Sequence, residues 1–207
     1  MIALLLFAAY LIGSIPTSVW IGKRFYNIDV REFGSGNAGA TNTFRVLGKR
    51  AGIPVLIIDI LKGSAAVALS YLAGYDTQGD SFIDLQLGLG IATLLGHIFP
   101  VFAGFRGGKG VATMLGVVLC ITPVPCALAL IIFLAILLSS RMVSLSSMLA
   151  GLSYPFFLAF AAHNSNSILT VFSIIVAALL IVTHRKNIQR ILRKEESKVR
   201  LFSVRQK

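Results

Sequence analysis

Long apolar stretches, each followed by a short polar one, run through this chain from end to end. A helix needs roughly 20 apolar residues to cross a bilayer. Met1 to about Ile21 meets that length, with Gly13, Ser14 and Pro16 interrupting its second half. Ile53 to about Leu72 predicts a second span, and Leu85 to Phe102 a short third one rich in glycine. Val111 to about Thr122 offers only some 12 residues, roughly 18 Å of helix, before Pro123 and Pro125 stop it. Ala127 to Ser139 is another short run. These two read either as short spans joined by a proline turn or as a re-entrant pair. Leu145 to Ala162, interrupted by Pro155, and Ile168 to Thr183 complete the series. With both short runs counted as spans there are seven. The fold expected is an all-α polytopic membrane helix bundle forming a single domain over residues 1–207.

The polar stretches orient that bundle. Gly22–Gly52 carries six Lys or Arg against two acidic residues, and His184–Lys207 carries nine against two. Gly74–Asp84 has three aspartates and no Lys or Arg. Basic residues gather on the cytoplasmic side, so the aspartate loop is expected outside. The uncharged HNSNS turn from His163 is expected there too, with His163 in a structural role. An odd number of spans then puts the N-terminus outside and the C-terminus in the cytoplasm. Gly34–Arg45, Gly104–Lys109 and the tail from His184 all fall on the inner side.

Composition agrees. Of 207 residues, 56% are hydrophobic and 13% charged, against about 25% charged in soluble domains. The net charge of +11 needs no nucleic acid to explain it, because positive-inside bias suffices; it also suits anionic lipids or substrates. Cys120 and Cys126 have no histidine or acidic neighbour and read as small buried apolar residues, not metal ligands.

Several polar groups stand out against this background. Asp59 and Lys62 lie inside the second span three residues apart, on one helix face. Charges there are costly unless they pair or line a site. Gly34–Arg45 reads GSGNAGATNTFR, where Ser35, Asn37, Asn42 and Arg45 can offer donors to a phosphate; an ordinary flexible loop, or a helix cap at Thr41 or Asn42, is the alternative. Gly104–Thr113 reads GFRGGKGVAT. Its glycines can open backbone amides to an anion, Arg106 and Lys109 add charge, and the exit into a helix adds a positive end. It lacks the ending of a Walker motif, and a tight turn with positive-inside charges would have the same composition. His97, before Phe99 and Pro100, fits an interfacial histidine or a catalytic one. His184, followed by Arg185 and Asn187, fits an anchor or a general base.

At these residues the chain resembles the bacterial acyl-phosphate:glycerol-3-phosphate acyltransferase family, over essentially its whole length. The first motif of the family matches Ser35-Gly36-Asn37 through Gly39-Ala40-Thr41-Asn42 to Arg45. The second matches Gly96, His97, Phe99 and Pro100, then Arg106-Gly107-Gly108-Lys109-Gly110-Val111-Ala112-Thr113. The third matches His184, Arg185, Asn187, Ile188, Arg190 and Glu196, while Asp59, Lys62 and Gly63 fit a further part of the pattern. Two positions depart from it. Arg106 stands where the family commonly has lysine, and Lys194 where it usually has glycine.

The resemblance implies an integral membrane enzyme of seven spans, in the bacterial inner membrane, with its motifs at the cytoplasmic face. It implies transfer of a fatty acyl group from acyl phosphate to the sn-1 hydroxyl of glycerol 3-phosphate, giving lysophosphatidic acid and phosphate. Expected partners are these substrates and membrane lipids. No cofactor, metal or nucleic acid is expected, and the chain is expected to act as a monomer. Under this resemblance Ser35, Arg45, His184, Asn187 and Glu196 are the catalytic candidates. Lys62, Asn37, Asn42, His97, Gly104, Arg106, Gly107, Gly108, Lys109, Gly110 and Thr113 are the substrate-binding candidates. A rival scheme makes Ser35 a covalent nucleophile activated by His184. A rival class is a transporter of a phosphorylated solute, against which stands the lack of any internal repeat.

Overall fold

The computed structural model describes residues 1–161 and 166–199; His163 and the end of the basic tail lie outside the described residues. Ten α-helices and no strand are found among the described residues. In chain order they are α1 Ile2–Gly13, α2 Thr17–Tyr26, α3 Ala40–Leu47, α4 Lys49–Ala68, α5 Asp80–Ile98, α6 Val111–Ile121, α7 Pro123–Ser140, α8 Val143–Ala161, α9 Ser167–Thr183 and α10 Arg185–Leu192. They form two compact units, Met1–Pro123 and Val124–Lys207.

The expected seven spans do not survive. Five stretches are long and apolar enough to cross a membrane: Ile2–Tyr26, Lys49–Ala73, Asp80–Ala103, Pro123–Ser140 and Val143–Phe160. A sixth is reached only if α9 and α10, bent by 57° at His184, count as one. The seventh fails on length. Helix α6 has 11 residues, about 16 Å at the rise of an α-helix, because its ladder ends at Thr122 and Pro123 opens the next helix. The run expected at Ala127–Ser139 is longer than its composition suggested, since Pro123 and Pro125 sit in the first turn of α7, where their missing N–H groups cost nothing. With the odd count gone, the count no longer fixes where either terminus lies.

Helix α1 stops before Pro16 because a residue preceding proline is pushed out of the helical region. The chain restarts at Thr17 and continues the same span. In the first unit the helices cross by close backbone contact. A Cβ added at Gly13 would strike the Thr93 carbonyl, and one at Gly96 the Tyr10 carbonyl, which locks α1 to α5. Gly63 against Thr113 and Gly116 against Ile60 do the same for α4 and α6. Small residues at such crossings are how helices associate where lipid supplies no hydrophobic contrast. Leu5, Ala9, Ala66, Leu85 and Leu89 fill the space between them, while Phe7, Ile57, Leu61 and Ile91 point outward. Outward apolar side chains on this scale would be a liability in water; against acyl chains they are required. In the second unit α8 packs on α9, where Gly151 admits the Leu180 side chain. The chain after α10 returns to the start of α8, with the Val199 N–H donating to the Arg141 carbonyl at 2.8 Å.

Candidate active site

Two polar loops of the first unit are built against one another. In the first, Asn42 is 2% exposed and acts as an internal brace. Its Oδ1 accepts from the Ser35 N–H at 2.8 Å, and its Nδ2 donates to the carbonyls of Val30 at 2.7 Å and Phe33 at 3.1 Å. Gly34 and Gly36 take positive φ, so the loop turns back over α3 and leaves Ser35 and Asn37 half-buried and Arg45 exposed. The second loop follows α5. Gly107 and Gly108 donate their N–H groups to the carbonyls of Ile98 and His97, each at 3.1 Å. Those two amides are therefore committed to the end of α5. What the glycines supply is room: a Cβ at Gly108 would strike the His97 ring, and the same ideal Cβ lies 3.2 Å from the Ala38 carbonyl of the first loop. Gly110 adopts φ 78° and begins α6. Lys109 is half-buried beside it, while Gly104 and Arg106 are exposed.

Arg31 clamps the two loops together. Its Nε and Nη2 donate to Asp29 at 2.9 and 2.7 Å, and its Nη1 donates to the carbonyls of Ala103 at 2.7 Å and Arg106 at 3.2 Å. The Arg31 fork outweighs burial and, with Lys23, holds the Asp29 carboxyl well below the usual range; Asp29 in turn raises the Arg31 guanidinium.

Beneath the glycine-rich loop lies a buried cluster centred on Asp59. Its Oδ1 receives the Thr17 hydroxyl at 3.1 Å, pairs with Lys62 Nζ at 2.8 Å and lies 3.9 Å from His97 Nδ1. Lys62 also donates at 3.1 Å to the Ile15 carbonyl, which accepts the Thr17 N–H at 3.0 Å as well, at the break around Pro16. His97 Nδ1 is 3.0 Å from the Thr113 hydroxyl in the first turn of α6. Lys62, His97 and Thr113 are all buried.

The second unit has its own cluster, at the α9–α10 corner. Glu196 Oε1 accepts from Ser144 at 2.7 Å and Asn187 at 2.6 Å, and Oε2 accepts from Arg190 Nε at 2.7 Å. Burial pushes this carboxyl up, but the hydrogen bonds from Arg190, Ser144 and Asn187 outweigh it and leave it below its ordinary value. His184, at the bend, places Nδ1 2.8 Å from the Leu180 carbonyl. A carbonyl only accepts, so Nδ1 carries a proton.

The sequence model of the family described as Glycerol-3-phosphate acyltransferase matches residues 3–194. A glycerol-3-phosphate acyltransferase of Enterococcus faecalis is 46% identical, covering 100% of this chain and 95% of its own. One from Bacillus cereus is 45% identical over 99% of this chain and 98% of its own. The crystal structure of PlsY, an integral membrane glycerol 3-phosphate acyltransferase, in its glycerol 3-phosphate form superimposes with a TM-score of 0.85 at 38% identity, covering 96% of each chain. Its lysophosphatidic acid form gives 0.82 at the same identity, over 96% of this chain and 95% of that one. This chain belongs to the glycerol-3-phosphate acyltransferase family. It is a multi-pass protein of the bacterial inner membrane.

Against that family pattern, Lys194 has φ 61°, a left-handed conformation natural to the glycine usual there. Of the two adjacent glutamates, Glu196 is buried in the cluster and Glu195 is exposed. Ser35, Asn37, Asn42, Arg45, Lys62, His97, Thr113 and the glycine-rich loop are gathered in the first unit, and His184, Asn187 and Glu196 in the second. Sequence reasoning missed Thr17, Arg31 and Ser144. Arg31 was hidden among the other positive-inside charges, although Asp29 two residues away was a signal. Thr17 and Ser144 carried no signal, since a single hydroxyl near a span end is commonplace.

Proposed function

We infer that this chain transfers a fatty acyl group from acyl phosphate to glycerol 3-phosphate, forming lysophosphatidic acid and releasing phosphate. The glycine-rich loop carries this reading. Its glycines are fitted against His97 and the end of α5, which sets the cations Lys109 and Arg106 in the loop that leads into the first turn of α6. The full-length match to enzymes of this activity supplies the chemistry.

Lys109, Arg106 and Gly104–Gly110 hold glycerol 3-phosphate, aided by the positive end of α6. Ser35, Asn37 and Arg45 position the donor phosphate or carbonyl. Lys62, His97, Thr113 and Asn42 serve binding from beneath, by fixing the loops. His184, Asn187 and Glu196 orient substrate and assist proton transfer. The sn-1 hydroxyl oxygen attacks the acyl carbonyl carbon. A carbon–oxygen ester bond forms, the bond from carbonyl carbon to phosphate oxygen breaks, and the hydroxyl proton passes to a substrate phosphate oxygen. Positioning of this kind is worth on the order of 7 kcal/mol, and donors on the developing oxyanion about 3 kcal/mol more. Acyl phosphate is already activated, so the step as written needs no ATP. The excess of Lys and Arg in these loops supports a cytoplasmic position for this chemistry by the positive-inside rule.

Purified protein with palmitoyl phosphate and glycerol 3-phosphate is expected to release phosphate and form lysophosphatidic acid; turnover with palmitoyl-CoA alone would overturn the donor. Lys109→Ala should raise KM for glycerol 3-phosphate more than for the lipid donor. Radiolabelled donor without acceptor should leave no label on Ser35.

A further inference from the structure

An open cavity of about 470 Å³ lies between α2 and the turn at Val101–Ala103, within the roughly 300–1,000 Å³ of small-ligand sites. Its lining joins two chemistries. Val19, Trp20 and Phe102 are apolar; Lys23, Arg31 and Arg106 are cationic; no lining residue is acidic. Trp20 and Phe102 are each about half exposed, at 50% and 51%, with ring centroids 6.3 Å apart. Each stands near the end of a membrane-spanning stretch, Ile2–Tyr26 and Asp80–Ala103, which is the level of aromatic belts and lipid headgroups.

The charges are arranged for an incoming anion. Asp29 fixes the Arg31 fork and meets Lys23 at 3.3 Å, and Glu32 also acts on Arg31, so two carboxylates stand near three cations. The Arg106 guanidinium is exposed and meets no carboxylate among the described residues. A soluble anion would satisfy the cations but give no use to two half-exposed rings. A neutral apolar chain would use the rings and leave the cations idle. A lipid with a phosphate head and chains starting just below it meets both.

We propose that this cavity binds the phosphate headgroup of an anionic phospholipid from the surrounding bilayer, with Lys23, Arg31 and Arg106 on the phosphate and Trp20 and Phe102 along the first part of the chains. Gly104 and Arg106 line this cavity and also belong to the loop proposed to hold glycerol 3-phosphate, so binding here is read from the Trp20 and Lys23 side and without measuring turnover. Trp20 is the only tryptophan in the chain, so its fluorescence reports on this cavity alone. The full chain is placed in phosphatidylcholine nanodiscs containing a small fraction of brominated phosphatidylglycerol or, in parallel, brominated phosphatidylcholine. The quenching slope is expected to be about fivefold steeper for the brominated anionic lipid, the enrichment due to one basic residue near a membrane surface. Lys23→Gln should remove most of that excess while leaving quenching by brominated phosphatidylcholine unchanged, which also shows that the variant is folded. Equal slopes for the two lipids, or an undiminished excess in a Lys23→Gln/Arg106→Gln double variant, overturns the proposal. Loss of the excess on adding millimolar inorganic phosphate would reassign the cavity to a soluble anion.

Discussion

Asp59 and Glu196 solve the same problem in different surroundings. Each is a buried carboxylate that collects a hydroxyl and a cation: Thr17 and Lys62 around Asp59, Ser144 and Arg190 around Glu196. Each takes its third neighbour from a residue proposed to serve the substrates, His97 or Asn187. They differ in depth. Asp59 and Lys62 lie inside a membrane-spanning stretch, whereas Glu196 follows α10 and draws on an Arg190 side chain that is 31% exposed. A charge in the first cluster has no access to water if its partner is lost, while Arg190 in the second can turn outward. Shared chemistry therefore predicts unequal consequences.

The sharpest break comes from Asp59→Ala. It strands the Lys62 ammonium, and uncompensated buried charges cost about 3–5 kcal/mol, so the detergent-solubilised protein should lose thermal stability to that extent. Adding Lys62→Met should recover most of the loss, because an apolar pair of similar volume can replace a buried ion pair. No recovery in the double variant would mean that Lys62 is not the stranded group. Glu196→Gln should cost less, about 2 kcal/mol, the range for hydrogen bonds to a charged acceptor, read as earlier proteolytic release of the segment after α10.

Acid bears on the second cluster. Glu196 titrates below its ordinary value when folded. Its stabilising contribution is thus complete above the ordinary carboxylate pKa and is lost as pH falls from there through the lowered value. Glu196→Gln should flatten that part of the stability–pH curve, leaving the share carried by Asp29, which has the same sign. The smallest effect is expected at Lys194, whose left-handed backbone should be relieved by Lys194→Gly with a gain of about 1 kcal/mol or less; calorimetry showing a loss would contradict the strain.

The all-helical membrane architecture was legible because its signal, uninterrupted apolar length, is the quantity a bilayer selects. The count was not: the sequence stops the run after Val111 at about 12 residues but leaves open whether so short a run crosses, and only backbone geometry shows that the next helix begins at Pro123 itself and runs for 18. The candidate site stood out where composition is unusual: the glycine-rich loop, the GSGNAGATN stretch, and Asp59 with Lys62, whose shared helix face left pairing or lining a site open and which are found paired at 2.8 Å. Partners brought in from other helices were not. Nothing in the sequence ties Thr17 to Asp59 or Ser144 to Glu196, separations of 42 and 52 residues.

The break in the first span also bears on how the protein is made. The Ile15 carbonyl there accepts from Lys62, 47 residues further along, in addition to the Thr17 N–H, and the Thr17 hydroxyl donates to Asp59. During synthesis the first span enters the membrane before the two charges that meet it, which arrive on the next long helix. Neither is fully stable in lipid without the other. Asp59 and Lys62 thus tie the second long span to the break in the first, and the buried charges find these partners only once both spans are in the membrane.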